Sequence, residues 1–255
     1  MQKKSKRPIK IGILGNGQIG QAISKFYKNP LIKDLNRDDG LLGADVLHIC
    51  IPYNENFIKI VEKEIKQINP KLTIIHSTVA PGITKKLSEK FSGQVVHSPV
   101  RGVHPNLYKG IKTFIKYIGA DDKKAGLSAK KHLESLGIKT KVLSSSVATE
   151  LGKVFDTTYY GVCIAWHGEM EKICDMLGAD FSEAVTSFNE TYNEGYKKLG
   201  MKNVVRPVLN PPQGFIGGHC VVPNAKILKK VLQSKAFDLI LGYDGGEKSC
   251  HKVLL

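Results

Sequence analysis

The sequence predicts an α/β fold, a doubly wound parallel sheet followed by a helical domain built on one long helix. Three observations predict it. Short apolar runs alternate with stretches of helical spacing from residue 9 to 143, which implies a parallel sheet covered on both faces. A polar break at Ser144 to Ser146 ends the alternation. Residues 147–177 then hold a single helical period through Leu151, Val154, Phe155, Thr158, Val162, Ala165, Ile173 and Leu177. A helix of ~30 residues is ~45 Å long. The boundary is placed at 146, giving domains 1–146 and 147–255.

The elements follow in order. Ile9 to Leu14 is an apolar run stopped by Gly15 and reads as a buried strand. Gln18 to Lys28 carries Ile19, Ala22, Ile23 and Phe26 at helical spacing. Leu31 to Leu35 is a second strand, and Asp45 to Ile51 a third, stopped by Pro52. The link between the second and third leaves hardly any room for a helix, so an irregular crossover or a trimmed sheet edge is expected there. Asn54 to Ile68 is a helix through Phe57, Ile58, Val61, Ile65 and Ile68. Strands at 72–76 and 94–97 flank a helix at 83–91, and a loop at 98–112 follows. A strand at 114–118, a helix at 123–136 and a strand at 140–143 complete the first domain. In the second, 180–199 and 223–233 read as helices. Residues 200–222 are a Pro/Gly-rich loop, and the tail from Phe237 is ambiguous.

Composition bounds the function. The 255 residues fit one large or two small domains and can bury a core without disulfides or metals. No run approaches ~18 apolar residues, so no transmembrane helix is expected. Five cysteines, an odd count without a CxxC pair, suggest a reducing cytoplasm and no metal centre. Cys50, Cys163 and Cys174 read as core residues. Lys plus Arg number 38 against 23 Asp plus Glu, a net charge of +15. That charge suits an anionic small molecule on a lysine-rich surface. The lysines are dispersed, and no helix-turn-helix, zinc finger or aromatic-laced basic stripe points to nucleic acid.

Gly15-Asn16-Gly17-Gln18-Ile19-Gly20 fits G-x-G-x-x-G between a predicted strand and a predicted helix. The first glycine permits the turn, the second lets backbone approach a pyrophosphate, and the third lets helix and strand pack closely. Asp34 stands 19 residues after Gly15, where an acid bonds a ribose hydroxyl. The segment is therefore read as a Rossmann-type dinucleotide site formed by Gly15, Gly17, Gln18, Ile19, Gly20 and Asp34. The acid favours NAD, although Lys33 and Arg37 flank it.

Further segments, in order, extend this pattern: ADVLHICIP at 44–52, Ser77-Thr78-Val79-Ala80-Pro81-Gly82, Glu150-Leu151-Gly152-Lys153, Glu169 with Ala179-Asp180, and Gly214-Phe215-Ile216-Gly217-Gly218-His219-Cys220. With the glycine loop, this set resembles the UDP-glucose/GDP-mannose (nucleotide-sugar) dehydrogenase family over residues 9–235. The resemblance implies that Pro52 and Ser77 line the nicotinamide and that Thr78 positions water. It implies that Lys153 stabilises charge on the reacting oxygen and that Cys220 is the nucleophile of a two-step oxidation through a thioester. It also implies a homodimer through the long helix 147–177. Thr78 has a plainer reading as a cap for the next helix.

Three polar positions depart from the family. Val100 stands where the family has a glutamate that assists thioester hydrolysis; Thr157 replaces an asparagine and Asn224 an aspartate. His104 is the candidate base replacing the lost acid. Arg101, Thr157, Gly217, Gly218, His219 and Asn224 are the candidate substrate contacts. The family's C-terminal domain, which helps to bind UDP, is not expected in a chain of this length. The leading expectation is an NAD-dependent oxidoreductase acting on an alcohol of a nucleotide sugar or related phosphorylated substrate. A single-step β-hydroxyacid-type dehydrogenase and a non-catalytic NAD-binding sensor are the alternatives.

Overall fold

The computed structural model describes residues 7–103, 105–218 and 220–245. The chain divides into two compact units, Met1–Lys153 and Val154–Leu255, and the division falls inside the long helix.

The first unit is built on a sheet of eight described strands: β1 (Ile11–Leu14), β2 (Leu31–Asp34), β3 (Arg37–Asp38), β4 (Val46–Ile49), β5 (Leu72–Ile75), β6 (Val95–His97), β7 (Lys116–Gly119) and β8 (Thr140–Leu143). Their order is β3-β2-β1-β4-β5-β6-β7-β8. Helices α1 (Gln18–Ser24), α2 (Phe57–Ile68), α3 (Ile83–Lys90), α4 (Leu107–Thr113) and α5 (Lys123–Glu134) join them, and α6 (Ser146–Leu177) begins in this unit. Strands β2, β1, β4, β5 and β6 run parallel. This is the expected doubly wound fold, with two departures.

At one edge, β3 is a two-residue strand antiparallel to β2. It forms a hairpin in the short link where a helix had no room. At the other edge β7 and β8 pair parallel with each other, but β7 is antiparallel to β6, with His97 opposite Gly119. The expected all-parallel order fails there for a physical reason. The segment read as a loop contains α4, whose seven residues span about 10 Å. It does not carry the chain back to the amino edge, so β7 starts beside the end of β6 and runs the other way.

Alternation along each strand serves two apolar layers. Ile13, Ile23, Val46, Ile74, Ile118 and Leu133 fill one face. Leu47, Ile49, Phe57, Val61, Ile75 and Leu87 fill the other. The second unit comprises the rest of α6, a π-helical turn at Ser182–Thr186 leading into α7 (Ser187–Lys198), α8 (Val221–Lys229) and α9 (Lys235–Leu241). Its small core is Ala165, Ile216, Val222, Ala225, Ile240 and Tyr243. Among the described residues no helix is long and apolar enough to cross a membrane.

Candidate active site

The glycine loop has the geometry its sequence requires. Gly15 has φ +101°, and a Cβ there would lie 2.7 Å from the Cys50 backbone. A Cβ on Gly20 would lie 1.9 Å from the Gly15 carbonyl oxygen, so the helix enters directly against the turn. Around Gly17, by contrast, an added Cβ meets no atom within 4 Å. Gly17 is the N-cap of α1, with no side-chain cap and no acid in the first turn. That open, uncapped amide end fits a pyrophosphate. Gln18 is exposed beside it, and Ile19 is half-buried against the core.

Asp34 closes the loop from β2. Its carboxylate accepts from the Asn16 and Leu35 backbone N–H groups. The flanking cations are engaged elsewhere. Lys33 Nζ donates to Glu64 Oε1 at 2.7 Å, and the Arg37 guanidinium pairs with Asp39 at 2.7 Å.

At the carboxyl edge, side chains rather than backbone set the geometry. Ser77 is buried, and its hydroxyl donates to the Ile51 carbonyl at 2.6 Å, tying the turn after β5 to the one after β4 beside exposed Pro52. Half-buried Thr78 is not the cap of α3. The N-cap position is Gly82, φ +92°, which has no side chain to offer. Glu150 caps the helix instead. Its two oxygens accept from the Gly82 and Thr84 N–H groups at 2.7 and 2.8 Å. Burial pushes the Glu150 carboxyl up, against the downward pull of these bonds. The His97 ring adds a second link: Nδ1 meets Thr149 Oγ1 at 2.8 Å, and Nε2 meets the Ser77 carbonyl at 3.1 Å. Burial drives His97 down to about 3, and Lys116 and Lys153 push the same way. Half-buried Lys153 stands three residues after Glu150 in α6, on the same side of the helix.

Beneath this edge lies a buried polar row. His132 Nε2 meets Tyr27 Oη at 2.7 Å, and Tyr27 Oη meets His48 Nε2 at 2.8 Å. His48 Nδ1 meets His76 Nε2, and His76 Nδ1 meets the Ser98 carbonyl, each at 2.8 Å. Lys116 Nζ donates to that carbonyl at 2.8 Å and to the Pro99 carbonyl at 3.1 Å. Burial lowers Lys116 to about 7 and raises the neighbouring Cys50 thiol to about 12. Sequence reasoning missed this row. Its one readable signal is a histidine within or just after each of two apolar strands, at 48 and 76.

In the second unit Cys220 is half-buried at the N-cap position of α8. The amide end of a helix favours negative charge there. The preceding loop turns at Gly214 and Gly218, φ +80° and +89°. The Ile216 N–H donates to the Tyr243 carbonyl at 2.8 Å, and Tyr243 Oη donates to Glu169 Oε1 at 2.6 Å. Glu169 thus tethers the cysteine loop to α6. Asn224 Nδ2 donates to Thr157 Oγ1 at 2.7 Å, and Thr157 Oγ1 donates to the Val154 carbonyl at 3.0 Å. The two departures from the family are partners in one neutral contact. Gly217 is half-buried, and Gly218 is exposed.

The Arg101 guanidinium lies over the Phe114 and Tyr117 rings, 5.3 and 5.9 Å from their centroids. His104 and His219 lie outside the described residues. Of the expected core cysteines, Cys50 and Cys174 are buried, and Cys163 is half-buried.

No protein-family model matches the chain. It is 28% identical over 205 residues to a UDP-N-acetyl-D-mannosamine dehydrogenase of Methanococcus maripaludis strain C7, covering 74% of this chain and 45% of that protein. A protein of the same name from Methanocaldococcus jannaschii is 29% identical over 195 residues, 70% of this chain and 43% of its own length. The chain is thus similar in sequence to UDP-N-acetyl-D-mannosamine dehydrogenases. It spans just under half the length of the curated relatives it matches. Among solved structures, the UDP-D-ManNAc dehydrogenase of Pyrococcus horikoshii superposes with a TM-score of 0.74 at 18% identity, covering 92% of this chain and 68% of that one. Mycobacterium tuberculosis 3-hydroxyisobutyrate dehydrogenase superposes with a TM-score of 0.66 at 15% identity, covering 91% of each chain. Both likenesses establish the dehydrogenase fold.

Proposed function

We propose that the chain is an NAD-dependent dehydrogenase that oxidises an alcohol of a nucleotide sugar. The observation that carries the reading is the glycine loop with Asp34 docked on it, its amide end open at Gly17. The engaged state of Lys33 and Arg37 favours NAD over its 2′-phosphorylated form. The substrate class comes from the relatives named above.

NAD, when bound, supplies the hydride acceptor. Gly15 to Gly20 and Asp34 would hold its pyrophosphate and ribose, with Pro52 and Ser77 beside the nicotinamide. Lys153 holds the reacting oxygen and offsets its developing negative charge. Cys220 supplies a thiolate to the aldehyde carbon. Thr78 orients the water that releases the acid. Substrate contacts come from Arg101 and from the loop Gly217, Gly218 and His219. Thr157 and Asn224, bonded to each other, complete the set of substrate contacts. An anionic small molecule in the cytoplasm is the natural partner.

A homodimer is part of the same reading. Phe155, Tyr159, Trp166, Ile173 and Leu177 are exposed at spacings of four, seven, seven and four along α6, which puts them on one stripe of the helix.

One observation favours a single oxidation instead. Val100 is 4% exposed, a buried aliphatic side chain where the family has its hydrolytic acid. Counting NADH per substrate decides between the two. Two equivalents are expected by the thioester route, falling to one in Cys220→Ser. One equivalent from the unaltered protein sinks the thioester step. NADH binding without turnover on any UDP- or GDP-sugar sinks the enzyme reading.

A further inference from the structure

Helix α3 cannot cap itself. Its N-cap is a glycine in a left-handed conformation, and its first turn carries no acid. The amides of a helix start need acceptors. Here both oxygens of one carboxylate supply them, from another helix, at 2.7 and 2.8 Å. Glu150 is 0% exposed, so no water competes for those oxygens. The turn Ser77 to Gly82 that precedes α3 carries Thr78. The turn of α6 that starts at Glu150 carries Lys153, about 4.5 Å further along the axis.

We propose that Glu150 is the positioning residue of this site: its carboxylate fixes the Lys153 turn of α6 against the Thr78 turn. Gly82 and Thr84 are the two points it holds. His97 is a parallel strut, bridging Thr149 on α6 to the Ser77 carbonyl. A slip of α6 by one turn, about 5.4 Å, would break both links at once. The register of Lys153 is therefore set by side-chain bonds to the catalytic turn as well as by the helix. The inference rests on the proposed function for the role of Lys153, and one arm of its test is independent of turnover.

The test uses the full chain with NAD and the variant Glu150→Gln, which keeps shape but offers one acceptor and turns an NH₂ toward an amide. Amide exchange at Gly82 and Thr84 should speed up while β4 and β5 stay protected. Labelling of Lys153 by an amine reagent, read by mass spectrometry, should change about fivefold or more, with Lys59 and Lys141 unchanged. Turnover should fall about tenfold or more, as for a small misplacement of a reacting group. The KM for NAD should stay within about twofold, since the glycine loop is untouched. A merely structural role would lower the melting temperature without that split. Glu150→Asp, which keeps the charge but shortens the reach, carries the same readouts if the glutamine variant does not fold. Unchanged Lys153 labelling in a folded variant overturns the inference. An unaltered protein that turns over no nucleotide sugar overturns the proposed function alone, and the labelling still decides the role of Glu150.

Discussion

The two glycine-bearing loops of the molecule use glycine for different reasons. In the G-x-G-x-x-G loop, Gly15 and Gly20 are forced by contact: any Cβ would enter the backbone of Cys50 or of Gly15 itself. In the cysteine loop, Gly214 and Gly218 are required by conformation alone, since an added Cβ at either finds open space. The first loop is a packed joint whose shape exists before any ligand arrives. The second is a turn whose shape depends on backbone preference and on its tether to Tyr243. One residue type thus serves close packing in the first loop and a left-handed turn in the second.

Substitutions sharpen this contrast. Gly20→Ala should have the largest effect, a loss of about 3 kcal/mol or more from a clash that only backbone movement relieves. Urea unfolding should show it, together with loss of NADH binding. An unshifted midpoint would break the comparison. Gly218→Ala should cost about 1–2 kcal/mol, the penalty of a left-handed alanine, with no loss of NADH binding. A cost as large as that at Gly20 would show hidden packing around the cysteine loop. Gly17→Ala should change stability least, by about 0.5 kcal/mol or less. It should still weaken NADH about tenfold in a fluorescence titration, because its methyl occupies space meant for the pyrophosphate. Unchanged affinity there would remove Gly17 from the cofactor site.

Much of the fold was legible because local rules and the global arrangement agree. The apolar runs at 11–14, 46–49 and 72–75 have no use except as buried strands, and the glycine loop is fixed by its neighbours in sequence. The reversed β7 was not legible, since periodicity carries no sign for strand direction. Nor was α4, whose seven residues are too few to show a period. For the site, motif spacing nominates Cys220 and Lys153. The cap of α3 was not. Its donor and acceptor lie 66 and 68 residues apart, and nothing local to Gly82 announces where its acceptor will come from. The pairing of Thr157 with Asn224 was hidden for the same reason: each looks like a loss until the two are seen to touch.

The buried row from His132 to Ser98 has an order that can be deduced without observing a hydrogen. A carbonyl can only accept, so His76 must carry its proton on Nδ1. Its Nε2 is then a lone pair, which obliges His48 to carry a proton on Nδ1 and to accept at Nε2. Tyr27 must give its hydroxyl proton to His48 and receive one from His132 Nε2. One carbonyl thereby dictates three tautomers and a hydroxyl rotor, and the row points one way through the protein. It is also a dead end. The Ser98 oxygen takes hydrogen bonds from both His76 and Lys116 but has no proton to hand on, so the amine and the imidazoles are neighbours that cannot trade protons.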